Sequence, residues 1–496
     1  LTRQRSRNCA LFTPNDSDAD KPKNVRNKEK INMQFIRWTS IVCAWLAAMT
    51  PVLAAPIVAA KITAPVPVTA QSGEPFRGLN EQPVAGPGLP LPVLQPYGYI
   101  EEEYFISGTV DGKPYATSML VRKPKDASKF SGVVAVETLH AQGAIPFWGL
   151  RDVLMPGGHG WVMIASQRSA LETFIKKSNP GRYGSLDIPE AAGVTPANPM
   201  APNPQDAISQ DIMSQVGALL KGNASNGPFG GMTVKTLIMG GSSQTGMTTL
   251  RYIQESHAKA RLADGKPIYD GYLPMEAFTS GPITGGDAAI IHVVGEGDFG
   301  LFRAFGREMT FTIRPDSDAP NDRFREYQFP AASHVPTRGI ADPKVIFATL
   351  SNVMSPGEQL SQFPSAPFYR ATFVNLVNWI AKGISPPKAA PIEMANGEIV
   401  RDEYGNAKGG VRTPYVDVPR VRYIASAPTS DPKNIVRHMI GLQEPIPTDK
   451  LKSLYKSRAE YLKRFDNDMD RVVSQHWIAA QDGDQLKVEE AKDPPF

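Results

Sequence analysis

Cysteine is almost missing: the 496 residues contain two, Cys9 and Cys43, both near the N-terminus. From Ala55 onward the chain therefore has no thiolate nucleophile, no disulfide and no cysteine ligand for zinc. Long apolar runs are scarce as well. Past the N-terminal region no stretch reaches the roughly 18 apolar residues of a membrane span, which excludes a multispan membrane protein. Charged residues make up 21% against 41% hydrophobic, the balance of a chain with a core rather than a disordered one. The 45 prolines and 42 glycines follow no G-x-y period, so they predict frequent loops and not collagen. No internal repeat and no H-E-x-x-H motif is present. Asp316-Ser317-Asp318 opens like a calcium loop, but Ala319-Pro320 follows and the sixth-place glycine is lacking. Neither a metal nor a cofactor is expected.

The net charge of +4 belongs to the N-terminal end. Residues 1–32 are polar and charged without apolar periodicity. Met33 then opens a different pattern, with Arg37, the apolar stretch Ile41–Met49, and small residues at Ala54-Ala55. This order of basic, apolar and small residues reads as a secretory signal peptide over 33–54, with 1–32 as upstream sequence. Pro51 and the short apolar span weigh against a membrane anchor. Setting aside the nine basic and four acidic residues of 1–54 leaves a net charge of −1, so no nucleic-acid partner is expected. The expected location is secreted or periplasmic, with no membrane span in the mature form. Asn223-Ala224-Ser225 is a glycosylation pattern only in a eukaryotic secretory host.

Length alone suggests about three domains. The pattern instead reads as a Pro/Gly-rich leader (55–98) and one large domain (99–496). Tyr104–Val110 and Tyr115–Val121 are strand-like runs joined at Asp111-Gly112, a hairpin signal. Val133–Val136, Trp161–Ala165, Thr236–Met239 and Ile290–Val294 are continuous apolar runs, as buried parallel strands show. Between them, Asp206–Lys221 carries helical spacing, as do Phe373, Leu376, Val377 and Ile380 before Gly383. The expectation is a mostly parallel central sheet with helices on both faces. Surface excursions fall at 171–205, 361–367 and 386–419. The first, with Phe174 and Tyr183 among prolines, reads as a lid-like insertion.

The sharpest chemical signal is Gly240-Gly241-Ser242-Ser243-Gln244-Thr245-Gly246, where a strand meets a Gly/Ser turn and then a helix. A strained turn of this kind exposes a serine oxygen at a helix N-terminus, and the Gln244 N–H after it can hold an oxyanion. Gly241 and Ser243 fit G-x-S-x-G, but Thr245 stands in the last glycine's place. A phosphate loop fits less well, because Met247 occupies the lysine position. A plain tight turn is the third reading. A serine nucleophile needs a base and an orienting acid, in the order serine, acid, histidine. Ile290–Val294 runs out at Gly295-Glu296-Gly297-Asp298, and Arg325–Phe329 is followed by the loop Pro330–His334. Among seven histidines only His334 meets the order in a loop that follows a strand. Asp298 and Glu296 both remain candidates for the acid, with Asp298 favoured for its shorter side chain. His140 follows Val133–Glu137 in a loop at the same edge.

These residues resemble a known family, the exported and largely bacterial α/β-hydrolase-domain proteins whose nucleophile motif reads G-x-S-Q-S/T-A/G. The resemblance also rests on Val133–Glu137, Gly160-Trp161-Val162 with Gln167, and Arg182-Tyr183-Gly184-Ser185-Leu186. Asp402-Glu403-Tyr404-Gly405-Asn406-Ala407-Lys408-Gly409-Gly410-Val411-Arg412-Thr413-Pro414 adds to it, as does Trp379 with Gly383 and Pro386-Pro387. It implies the α/β-hydrolase fold, Ser243 as nucleophile, His334 as base and an acid in the Glu296/Asp298 segment. Where the family usually has asparagine this chain has His140, so the oxyanion donors are taken as the backbone N–H groups of Gln244 and Leu139. Arg412 is expected to pair with a carboxylate rather than to touch substrate. The implied activity is cleavage of a small or polymeric carboxylic ester without a cofactor. The alternative is an exported binding protein that keeps the fold without turnover. Protein recovered after export should begin near Ala55 and contain no cysteine, as N-terminal sequencing with intact mass will check.

Overall fold

The chain enters its sheet earlier than expected. In the computed structural model, Lys61–Ile62 (β1) already pairs antiparallel with Ile106–Ser107, inside the leader. Two paired residues in a proline-rich stretch leave no period to read. The structure describes residues 55–78, 94–193, 203–278, 283–284, 286–305, 314–339, 354–431 and 434–493. The signal-peptide expectation over 33–54 lies outside these residues.

β2 (Tyr99–Val110) and β3 (Lys113–Pro124) form the predicted hairpin. Asp111 and Gly112 turn it with φ of 48° and 71°, the paired positive values of a two-residue hairpin loop. The other strands are β4 (Val133–Thr138), β5 (Gly160–Ile164), β6 (Thr236–Ser242), β7 (Gly271–Met275), β8 (Ala289–Gly295), β9 (Ser317–Ala319) and β10 (Asp322–Phe329). They form one sheet in the order β1-β2-β3-β5-β4-β6-β7-β8-β10-β9. From β5 to β10 all neighbours run parallel. The strand order reverses between β4 and β6, so the crevice above their C-terminal ends is where such a sheet places a ligand. β7 is not visible as an apolar run in the sequence, because Gly271 and Pro274 interrupt it.

Helices flank the sheet. α1 (Pro204–Lys221) starts from a capping box in which Asn203 and Asp206 satisfy each other's backbone, and buries Ile208, Ile212, Val216 and Leu220. α2 (Gln244–Arg251) follows β6 directly, and α3 (Glu296–Ala304) follows β8. α4 (Ser365–Lys382) ends at Gly383 with φ 67°. It begins inside the stretch 361–367, expected as a surface excursion. Pro367 sits in its first turn, where an absent N–H costs nothing, so this proline does not exclude a helix. α5 (Arg458–Ser474) and α6 (Ala480–Lys492) close the chain.

The lid expectation is corrected over its described part. Leu171, Ile175, Tyr183, Leu186 and Ile188 are buried, and Asp187 bridges to Ala116 of β3. Arg182 pairs with Glu103 of β2 at 2.6 Å, both side chains 1% exposed. Its guanidinium also donates to the Pro67 and Gly73 carbonyls at 3.0 and 3.1 Å. The Tyr183 hydroxyl donates to Glu103 at 3.0 Å and accepts from the Phe76 N–H at 2.7 Å. Residues 171–188 therefore fasten the leader to the sheet edge. Positions 194–202 lie outside the described residues. Arg412 is ion-paired with Asp402 and Asp417, at 3.1 and 2.5 Å. Its neighbour Val411 donates to Gln328 of β10 at 2.7 Å, so this segment braces the strand leading to His334.

α2 packs on β7 without room for a side chain at Gly246. A Cβ there would lie 2.4 Å from the Met275 carbonyl oxygen and 2.7 Å from the Ala277 Cβ. Gly246→Ala should therefore lose about 1–3 kcal/mol of stability by urea unfolding. Gly149→Ala, where a Cβ meets nothing within 4 Å, should stay within about 0.5 kcal/mol.

Candidate active site

Ser243 sits between β6 and α2 with φ 56° and ψ −124°, a conformation that costs a non-glycine residue about 1–3 kcal/mol. Its neighbours hold it there. A Cβ on Gly241 would be 2.6 Å from the Thr245 backbone, so only glycine lets the turn close. Thr245, in the place of the motif's last glycine, is buried and uses its hydroxyl as a clamp. Oγ1 accepts from the Ser242 N–H at 3.0 Å and donates to the Ser242 carbonyl at 2.8 Å. The Ser243 N–H donates to Met275 of β7 at 3.0 Å.

The loop after β10 brings His334 to this serine. Nε2 lies 2.9 Å from Ser243 Oγ, and Nδ1 donates to Asp298 Oδ1 at 2.5 Å. Asp298 is fully buried, and its other oxygen accepts from the Gly295 N–H at 2.7 Å. Burial opposes a charge on His334, but the hydrogen bond and charge of Asp298, with Glu276 behind them, lift the imidazole above its ordinary range.

Glu296, the other acid considered, does not reach the imidazole. Its oxygens take the Ala331 N–H at 2.8 Å and Arg401 at 2.9 Å. The chain after Gly295 becomes the first turn of α3, and residues two apart on a helix face different ways. Leu139 is also corrected as an oxyanion donor. Its N–H extends the β4–β5 ladder to the Ile164 carbonyl at 2.8 Å and is not free. The Gln244 N–H, at the start of α2, has no partner among the described residues. The Gln244 side chain forms a reciprocal amide pair with Gln167, at 2.7 and 3.1 Å. Gln167 also donates to the Leu139 carbonyl at 2.9 Å, which ties three strand ends together.

Glu276 was not foreseen. It follows β7 with φ 52° and is 5% exposed. Its Oε2 accepts the Ser242 hydroxyl at 2.5 Å. Burial pushes its carboxyl up to about 7, the Asp298 charge adding to the rise while His334 and the neighbouring hydroxyls of Ser242 and Tyr369 oppose it. The one available signal was a glutamate after a strand, and that strand was itself not legible. Among the described residues, no group of three or more His, Cys, Asp or Glu could hold a metal ion, and no helix is long and apolar enough to cross a membrane.

The family model described as an alpha/beta hydrolase domain matches residues 62–488, and the chain belongs to that family. No curated protein matches the chain. Among solved structures, it is similar to a Klebsiella pneumoniae subsp. pneumoniae protein named as a dienelactone hydrolase, with 13% identity and a TM-score of 0.30 over 57% of this chain and 99% of that one. A CE15 esterase from a marine bacterial metagenome shows 9% identity and a TM-score of 0.27, over 49% and 69%. A bacterial brefeldin A esterase shows 12% and 0.23, over 40% and 44%. At these values none bears on the substrate.

The raised carboxyl of Glu276 has a consequence for stability. A group whose folded pKa is raised stabilises the fold at low pH, and that contribution is lost as pH climbs from about 4.5 to about 7. Glu276→Gln carries no such titration. The melting temperature of the variant relative to the unaltered protein should rise across that window and level off above it, as scanning calorimetry at a series of pH values will read.

Proposed function

We propose that the protein is an exported serine hydrolase that cleaves carboxylic esters through an acyl-enzyme. The reading is carried by one observation: Ser243 Oγ, the two nitrogens of His334 and Asp298 Oδ1 form a continuous hydrogen-bonded chain, at 2.9 and 2.5 Å. A serine hydroxyl is a weak nucleophile, and this chain supplies what it lacks. Ser243 Oγ attacks the ester carbonyl while its proton passes to His334 Nε2. Asp298 fixes the imidazole by Nδ1 and stabilises the charge it gains. The carbonyl oxygen, now negative, is met by the Gln244 N–H and the positive end of α2. The tetrahedral species expels the alcohol, which leaves with the proton from Nε2. Water then attacks the acyl-serine with the same histidine as base, releasing the acid and restoring Ser243. Export rests on the Met33–Ala54 pattern alone.

A fluorophosphonate probe with peptide mapping tests the reading directly. The label should fall on the peptide containing Ser243, and Ser243→Ala should lose both label and ester turnover while keeping its melting temperature within a few degrees. Retention of label in Ser243→Ala with its loss in Ser242→Ala would overturn the assignment. Absence of label in the unaltered protein would favour the binding-protein alternative. On an activated ester, Asp298→Asn should lower kcat by about 10⁴, as a misoriented imidazole does elsewhere, and Glu296→Gln should be much milder.

A further inference from the structure

A tetrahedral oxyanion is commonly held by two donors, and the site described so far offers one, the Gln244 N–H. The loop after β4 touches the Gln244 side chain through Ala141, but its backbone is spent. Leu139 N–H donates to the Ile164 carbonyl at 2.8 Å, and His140 N–H to the Ala144 carbonyl at 3.0 Å. Ala141 N–H points to the Gln244 side-chain oxygen at 3.3 Å. Gln142 N–H donates to His140 Nδ1 at 3.0 Å, and Gly143 N–H to the His140 carbonyl at 2.7 Å. No backbone donor is left free between Leu139 and Gly143, so a second donor from this segment has to be a side chain.

His140 is the side chain with the right chemistry. An N–H donating into Nδ1 needs the lone pair there, which puts the ring proton on Nε2. Nε2 has no partner among the described residues. The ring is held by the tight turn 140–144, and the next residue is bonded to the Gln244 side chain, so it is tied to the segment that carries the first donor. It is also near enough to His334 to feel its charge.

We propose, resting on the serine-hydrolase reading above, that the Nε2–H of His140 is the second oxyanion donor, acting opposite the Gln244 N–H. As Ser243 Oγ adds to the carbonyl, the oxygen takes up negative charge and both donors shorten onto it. The Nε2 proton stays on His140 throughout. Neutrality suits this role. A charged imidazole here would oppose the charge that His334 gains in the same step, and burial, with the His334 charge adding to it, pushes His140 down to about 4. His140 is thus a fixed neutral donor over the working range of His334.

The test uses p-nitrophenyl acetate with the full chain and three variants at position 140. His140→Leu removes the donor, and kcat should fall by about 10²–10³ with KM within about threefold, the signature of a contact made in the transition state. His140→Gln places an amide N–H at comparable reach and should keep kcat within about tenfold of the original. His140→Phe, similar in shape and without a donor, should behave as His140→Leu and replaces it if that variant melts below the assay temperature. The affinity for a trifluoromethyl ketone, whose adduct with Ser243 carries an oxyanion, should weaken in step with kcat in the donorless variants. A donorless variant within threefold of the original kcat overturns the proposal. So does His140→Gln falling as far as His140→Leu, because ring shape and not donation would then matter. Failure of the serine-hydrolase reading looks different: Ser243→Ala would equal the unaltered protein, and the His140 assignment would fall with it.

Discussion

The positive φ of Ser243 is the constraint on which the arrangement depends. A serine prefers not to adopt this conformation, and nothing local stabilises it for its own sake. It persists because the surroundings leave no alternative. Gly241 has no Cβ to strike Thr245, the Thr245 hydroxyl clasps the Ser242 backbone, and the Ser243 N–H is taken by Met275. Gly246 lets α2 lie against β7. The same turn lifts Ser243 Oγ off the sheet and points the start of α2 at the space above it. Position and electrostatics come from one backbone distortion.

The parallel strands then act as a common ruler. β7, β8 and β10 end at neighbouring points in register, so Glu276, Asp298 and His334 arrive at the same edge from distant parts of the chain. Their surroundings divide the work. Asp298 receives one backbone N–H and the imidazole. Glu276 receives a serine hydroxyl in a buried place and favours its protonated form up to about 7. Two unshielded carboxylates beside one histidine would repel each other, and a rise in one pKa is the usual relief. Glu296, only two residues from Asp298, is turned by the helix into a brace between Ala331 and Arg401.

The sheet was legible where strands were continuous apolar runs, and so were the strand ends at which Ser243, Asp298 and His334 meet. β7 was hidden by Gly271 and Pro274, and Glu276 was hidden with it. The choice between Asp298 and Glu296 could not be made from spacing, because it turns on whether the chain after Gly295 stays extended or coils. Leu139 failed as a donor for a similar reason: its N–H partner is decided by the register of β5, which no pattern at 139 reveals. Arg182 and Tyr183 read as part of an insertion because their partner, Glu103, lies far back in the sequence. Burial of that charge pair is a property of the closed structure, not of either segment.

That charge pair bears on where the chain can be trimmed. Thr63 and Val66 hold backbone bonds to Phe105 and Glu103 and so run beside β2 as a partial outer strand, while Ile57 is bonded to the Arg261 carbonyl. A chain cut back to Tyr99 would expose the long free side of β2, a surface that invites other chains to pair with it. It would also strip the Pro67 and Gly73 carbonyls from a guanidinium buried beside Glu103. For recombinant work, the proline-rich stretch that resembles a dispensable tail is part of the folding unit, and shortening it invites aggregation.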